Sequence, residues 1–237
     1  MSELKSPSFM AIARESLSAI EFARLAVALP ALALQARGNG EPVMVLPGYG
    51  ASDTSTAPLR GYLSWLGYDV HGWDLGRNTG NVPGFLPQVA DLVRQLSERS
   101  GSPVTIVGWS LGGVIAREVA RDYPETVRQV VTMGSPLVGG AKYTSLGKLF
   151  ESRGTDLDEM EARIAARESR PISVPVTSIY SKRDGIVGWQ ASIDRFNAQV
   201  DHIEVHATHL GLGISPDVFR IIAQKLANPG AAAIRKL

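Results

Sequence analysis

From Glu41 onward, short apolar runs alternate with stretches whose apolar residues return every three or four positions. Runs of the first kind suit strands, and stretches of the second kind suit amphipathic helices. "PVMVLPG" predicts a strand that stops at Pro47-Gly48. "STAPLRGYLSWLG" predicts a helix with Ser55 or Thr56 as N-cap, Pro58 in its first turn and Gly67 at its end. "YDVHGW" predicts a second strand. Val82 to Ser100, with Leu86, Val89, Leu92, Val93 and Leu96 on one face, predicts a helix. "PVTIVG" is almost continuously apolar, as a strand buried on both faces must be. A helix over Leu111 to Asp122 follows, then strands at "VRQVVTMG", "VPVTSIYS" and "HIEVHA". Ser215 and Pro216 open a closing helix that runs to Ala227. This alternation predicts an α/β fold: a mostly parallel, six-stranded sheet with helices on both faces and right-handed crossovers. Reactive side chains then gather at the C-terminal edge of the sheet.

Two segments depart from the rhythm. Leu137 to Ser173 separates the fourth and fifth strands and holds "YTSLGKLFES" and "DLDEMEARIAARE". A plain loop of that length is uncommon in a compact domain, so two small helices over the sheet edge are expected. The other segment is Phe9 to Leu34, rich in Ala, Leu and Ile. Arg14, Glu15, Glu21 and Arg24 interrupt it, which is unlike the unbroken core of a signal peptide. The uncharged remainder is too short to cross a bilayer and contains Pro30. Two readings stay open: a helix packed on the domain or on a second copy, or an interfacial helix in peripheral contact with a membrane. Glu15 and Glu21 weigh against attraction to anionic lipid. The organisation expected is an N-terminal apolar helix over 1–40 and a domain over 41–237 with an insertion at 137–173.

Composition narrows the chemistry. The 237 residues carry 24 basic and 23 acidic side chains, a net charge of +1 that gives no electrostatic case for nucleic acid. The chain has no cysteine, which removes disulfides, thiolate catalysis and thiolate metal sites. That fits a cytoplasmic location, with membrane association left open, although exported proteins also lack cysteine.

The run "VGWSLGG" follows the third strand and opens a helix. Gly108, Ser110 and Gly112 form the pattern Gly-x-Ser-x-Gly, which is weak alone and informative at a strand-to-helix turn. A sharp turn there lifts the serine hydroxyl to the start of a helix, where peptide dipoles favour negative charge. The competing reading is a glycine-softened loop with no chemistry. A serine nucleophile needs a base, and a base needs a carboxylate to orient it. For a nucleophile on such a turn the chain order is serine, acid, histidine. His209, in "HATHLGLG", comes after the last strand and is the leading base, with His206 as fallback. Asp184, in "SKRDGIV", follows the fifth strand and is the leading acid, with Asp194 and Asp201 as rivals and an ordinary Asp-Gly turn as the alternative. The N–H of Leu111 and that of Tyr49, or of Gly50 next to it, would receive an oxyanion.

Taken in order, "VMVLPGYGAS", "VGWSLGG", "VVTMGSPLVGG", "SIYSKRDGIV" and "HATHLGL" resemble the α/β-hydrolase superfamily, in particular its compact bacterial lipase-like serine esterases. The resemblance covers Glu41 to Ala227 and implies that 137–173 is a small helical cap over the site. Many lipases carry His-Gly where this chain has Pro47-Gly48. The implied activity is cleavage of a small-molecule or lipid carboxylic ester through Ser110, His209 and Asp184, without metal or cofactor. Trp109, Leu137, Val138, Leu146, Leu149 and Trp189 are the candidates for an apolar acyl pocket, although they serve equally to glue the cap to the sheet. The same residues would serve an acyltransferase or thioesterase, and a binding protein that kept only the fold is the alternative from another class.

Overall fold

The computed structural model describes residues 3–197 and 199–230. Six strands form one sheet: β1 (Pro42–Leu46), β2 (Asp69–His71), β3 (Val104–Trp109), β4 (Val127–Met133), β5 (Val176–Tyr180) and β6 (Val200–Glu204). Their order is β2-β1-β3-β4-β5-β6, and every neighbouring pair is parallel. Side chains alternate between the two faces, as strand geometry requires. Val43, Val45, Val107 and Val131 enter one apolar core, and Met44, Leu46, Ile106 and Val130 enter the other. The helices α3 (Asp53–Trp65) and α8 (Pro216–Ala227) cover the first face. The second is covered by α4 (Val82–Ser100) and α5 (Leu111–Asp122). The strand register aligns Leu46 with Gly108, Gly108 with Thr132 and Met133 with Ile179. The loops after β1, β3, β4 and β5 therefore open at one edge.

Three elements differ from the sequence pattern. The helix α3 starts at Asp53, with Ser52 at its N-cap position, before either of the caps expected. Its entry is set by tertiary bonds, because the Asp53 carboxylate accepts N–H bonds from Trp73 and Asp74, both at 3.0 Å. The strand β6 ends at Glu204, so "HIEVHA" overruns it and His206 lies beyond the strand, exposed. The stretch "WQASIDRF", whose apolar spacing would suit a short helix, forms a single 3-10 turn, Trp189–Ser192.

The N-terminal segment forms α1 (Phe9–Ala13), a 3-10 turn (Arg14–Ser18) and α2 (Ala19–Leu32). Leu32 is buried in the first core, and Leu25 and Ala28 pack against it. Arg24 bonds both Glu21 and Asp217, each at 2.8 Å, which ties α2 to α8. Glu15 and Glu21 are buried against the domain, whereas Phe9, Val27 and Leu34 are more than four-fifths exposed (81%, 82% and 86%). Glu15 and Glu21 are thus absent from the outward face, so they no longer bear on contact with lipid. No helix among the described residues is long and apolar enough to cross a membrane.

The insertion after β4 contains a 3-10 turn (Gly140–Tyr143), α6 (Gly147–Ser152) and α7 (Leu157–Arg167). Its far end is held to α5 by buried charge. Arg117 pairs with Asp194 at 2.6 Å and with Glu168 at 3.3 Å, and Arg121 pairs with Glu168 at 2.9 Å. Arg167 bonds Glu118 and Asp122, and Arg170 bonds Asp122. Asp194 also accepts the N–H groups of Phe196 and Asn197.

Removing one partner leaves the others charged and dry, a loss of about 3–5 kcal/mol. Arg117→Leu should therefore lower the urea midpoint accordingly, measured by circular dichroism. Burial alone would raise the Asp194 pKa, but Arg117 and the two N–H bonds hold it below the ordinary carboxylate value. A depressed folded pKa stabilises the fold above the unfolded pKa, near 3.9, and the gain is lost as pH falls through the folded value. Asp194→Asn should remove that portion of the acid-side loss of stability.

Candidate active site

Ser110 is the residue between β3 and α5. Its φ is 53° and its ψ −121°, a left-handed conformation that non-glycine residues rarely adopt and that costs on the order of 1–3 kcal/mol. Bonds on both sides hold it. Its N–H donates to Met133 O at 2.8 Å, and its C=O accepts from Gly113 at 3.0 Å. Gly112 is required by close approach, since a Cβ there would stand 2.5 Å from Leu46 O on the adjacent strand. The turn places Ser110 half-exposed at the head of a helix.

Asp184 and His209 lie on the loops after β5 and β6 and are both buried. Asp184 Oδ2 and His209 Nδ1 are 2.7 Å apart. The other carboxylate oxygen, Oδ1, accepts the N–H groups of Ile186 at 2.8 Å and Val187 at 2.7 Å. The carboxylate therefore closes its own turn, as an ordinary Asp-Gly turn does, and also contacts the imidazole. Gly134 adopts φ +54° where these groups meet, and a Cβ there would lie 2.9 Å from Asp184 Oδ2 and 3.1 Å from His209 Nδ1. Among the described residues, no hydrogen bond joins Ser110 Oγ to His209. Burial disfavours the charged imidazole, but the charge and hydrogen bond of Asp184, with the charge of Glu15, outweigh it and raise its pKa above the ordinary value.

The rivals have structural partners. Asp194 belongs to the buried Arg117 network, and Asp201 bonds Lys225 at 2.6 Å. His71 contacts Asp69, and His202 Nε2 accepts the N–H of Asp194. Burial lowers the His202 pKa. His206 is exposed.

Leu111 is the first residue of α5, where helical N–H groups have no intrahelical acceptor. Gly50 donates to Asn78 O at 2.7 Å, whereas Tyr49 N–H has no acceptor among the described residues. Asn78 is fully buried and organises this loop: its side chain donates to Pro47 O at 2.9 Å, and its N–H donates to Ala51 O at 2.8 Å. The sequence pattern missed it, because an Asn within "GRNTG" reads as ordinary turn chemistry. The Tyr49 ring packs 5.1 Å from the Phe150 ring on α6, and its hydroxyl accepts from Arg153 at 2.6 Å.

The six apolar candidates are scattered. Trp109 lies in the first core with its ring 6.2 Å from that of His209. Leu137 and Val138 are buried, and Val138 N–H donates to Ala191 O. Trp189 stacks on Tyr180 at 5.9 Å, with Lys182 over its ring. Leu146 is half-buried just before α6, and Leu149, on α6, is exposed. A cavity of about 750 Å³ lies between the N-terminal segment and the insertion, lined by residues that include Ser6, Ile12, Lys142 and Leu157. Ser110, Asp184 and His209 do not line it.

A parallel sheet in this order, with a strained serine after β3 and an Asp–His pair after β5 and β6, is the plan of an α/β-hydrolase. The chain has the α/β-hydrolase fold, and residues 43–151 match the family model described as the alpha/beta hydrolase fold. It is similar to the pimeloyl-[acyl-carrier protein] methyl ester esterase of Shewanella woodyi, 33% identical over 104 residues. That alignment covers 44% of this chain and 40% of the relative. The fold is similar to that of Aspergillus fumigatus lipase B, at TM-score 0.69 and 20% identity, over 83% of this chain and 54% of that one. Bacillus licheniformis lipase BlEst2 in mature form superposes at TM-score 0.65 and 13% identity, covering 81% of this chain and 94% of that one. At such identities the two lipases speak for the fold alone.

The Asp184–His209 pair predicts a measurable titration. The imidazole of His209, followed by NMR, should titrate above 6.5, and Asp184→Asn should move it down. A raised folded pKa stabilises the fold fully below the unfolded value, and that gain is lost as pH rises through the folded value. Denaturation between pH 5 and 9 should show this loss in the wild type and a smaller one in Asp184→Asn.

Proposed function

We propose that the protein hydrolyses carboxylic esters through Ser110, His209 and Asp184. The observation that carries this reading is the buried 2.7 Å contact between His209 Nδ1 and Asp184 Oδ2 at the sheet edge where the strained Ser110 turn opens. Asp184 accepts a hydrogen bond from Nδ1–H, which fixes the tautomer and leaves Nε2 as the base. As Ser110 Oγ attacks the ester carbonyl, Nε2 takes its proton. The N–H groups of Leu111 and Tyr49 receive the negative oxygen of the tetrahedral intermediate. The imidazolium then protonates the departing alcohol, and water activated by the same nitrogen releases the acid. The positive end of α5 lowers the cost of negative charge beside Ser110.

The acyl group is assigned to the face presented by α6. Phe150 packs on the Tyr49 ring, which brings this helix over the loop that donates to the oxyanion, with Leu146 and Leu149 beside it. Trp109, Leu137 and Trp189 have packing partners that account for them without a ligand. The methyl ester activity named for the Shewanella relative favours a small alcohol as leaving group.

Purified protein should cleave p-nitrophenyl esters. Ser110→Ala should reduce kcat/KM by roughly four orders of magnitude or more while the circular dichroism spectrum and melting transition persist. Activity that survives in the folded variant overturns the assignment. Rates across an acetate-to-palmitate series then define the acyl length that α6 admits.

A further inference from the structure

Glu15 interrupts an apolar run in the sequence, and the structure shows where it goes. It sits in the 3-10 turn between α1 and α2, with its carboxylate buried. Oε1 accepts the N–H of Gly185 at 2.8 Å and that of His209 at 2.9 Å. Oε2 accepts the N–H of Leu210 at 2.9 Å. These donors come from two loops far away in the chain. Gly185 N–H belongs to the peptide that follows Asp184, and the second donor is the backbone of His209 itself. Such a buried carboxylate is costly unless its lone pairs are filled, and three charge-assisted N–H bonds fill them. The approach is close: a Cβ on Gly185 would lie 2.7 Å from the carbonyl carbon of Ala11.

We infer that Glu15 is a positioning residue, which fastens the loop bearing Asp184 to the loop bearing His209 and makes the N-terminal segment part of the catalytic scaffold. This rests on the assignment of Ser110, Asp184 and His209 above. An Asp–His contact formed by two separate loops keeps its geometry only while the loop backbones stay in register. Glu15 bridges those backbones through one carboxylate. Its charge also favours the protonated imidazole that forms during acylation. The charges acting on His209 are Asp184 from the loop after β5 and Glu15 from the N-terminal segment, while the uncharged Trp109 faces it from β3. Arg14, Arg24, Glu21, Arg183 and His206 line a neighbouring cavity of about 650 Å³.

Glu15→Gln and Glu15→Asp test the inference. Gln keeps the shape but removes the charge and turns an N–H group towards other N–H groups. Asp keeps the charge and shortens the reach. With p-nitrophenyl acetate, both should lower kcat on the order of tenfold to a hundredfold with little change in KM, because small displacements of reacting groups act on the chemical step. Only Gln should move the acid limb of the kcat/KM profile to lower pH, and the His209 imidazole followed by NMR should move with it. A lower melting temperature with kcat, acid limb and imidazole titration all unchanged would show a merely structural role and overturn the inference. The imidazole titration needs no catalysis, so it still reports on Glu15 if Ser110→Ala retains activity and the triad assignment falls. Where neither variant folds, hydrogen exchange in the wild type decides: slow exchange at Gly185, His209 and Leu210 supports the bridge, and exchange at the rate of exposed amides overturns it.

Discussion

At φ 53° the backbone of Ser110 is in a region that a side chain makes unfavourable, and the surrounding structure is arranged to keep it there. The strain cannot relax without breaking something larger. On one side β3 lies in the middle of the sheet, buried on both faces and paired with β1 and β4. On the other side α5 is held through Arg117 and Arg121 to Glu168 and Asp194. Moving Ser110 to a relaxed conformation would rotate the helix relative to the strand and pull those buried ion pairs apart. A few kcal/mol of local strain is thus offset by interactions that are individually as large, and the hydroxyl is left where a helix dipole and an adjacent N–H favour negative charge.

The sheet edge also explains why residues so distant in sequence converge. Parallel strands in register end together, so their following loops share one surface. Three of the loops at this edge are held by a polar side chain filling backbone valences that the strands leave open. Asn78 does this for the loop after β1, Asp184 for its own turn, and Glu15 for the loops after β5 and β6. A loop fixed in this way loses conformational freedom once, during folding, rather than at each encounter with a ligand.

Periodicity made much of this legible. Val82–Ser100 and Leu111–Asp122 appear with the expected ends, because apolar residues at helical spacing meet Asn81 and Gly101 at the ends of one helix and the Ser110 turn at the start of the other. The order of Ser110, Asp184 and His209 along the chain was also readable, since each follows a strand-like run. Elements whose limits depend on distant partners were not. The start of α3 depends on bonds from Asp53 to the loop after β2, and β6 stops where its pairing with β5 ends. The roles of Asn78 and Glu15 depend on which backbone N–H groups face them, and no local pattern carries that information. The visible trace of Glu15 was its charge within an apolar run, and the run's composition did not say which way the charge pointed.

The insertion is held unequally along its length. Beyond α7, Glu168, Arg167 and Arg170 are fastened to α5 by ion pairs that are partly or wholly buried. By contrast, α6 rests on the Tyr49 loop through one ring contact and one hydrogen bond at an exposed site. Exposed polar contacts contribute little, because water replaces them on separation. The end near Arg170 therefore behaves as part of the core that strains Ser110, whereas α6 meets the Tyr49 loop at an exposed site. Because the contact of α6 is with Tyr49 itself, whatever enters beside Leu146 and Leu149 presses on the same loop whose N–H faces the reacting oxygen in the proposed mechanism. In the proposed mechanism, recognition of the acyl group and stabilisation of the oxyanion would then be coupled through one aromatic ring.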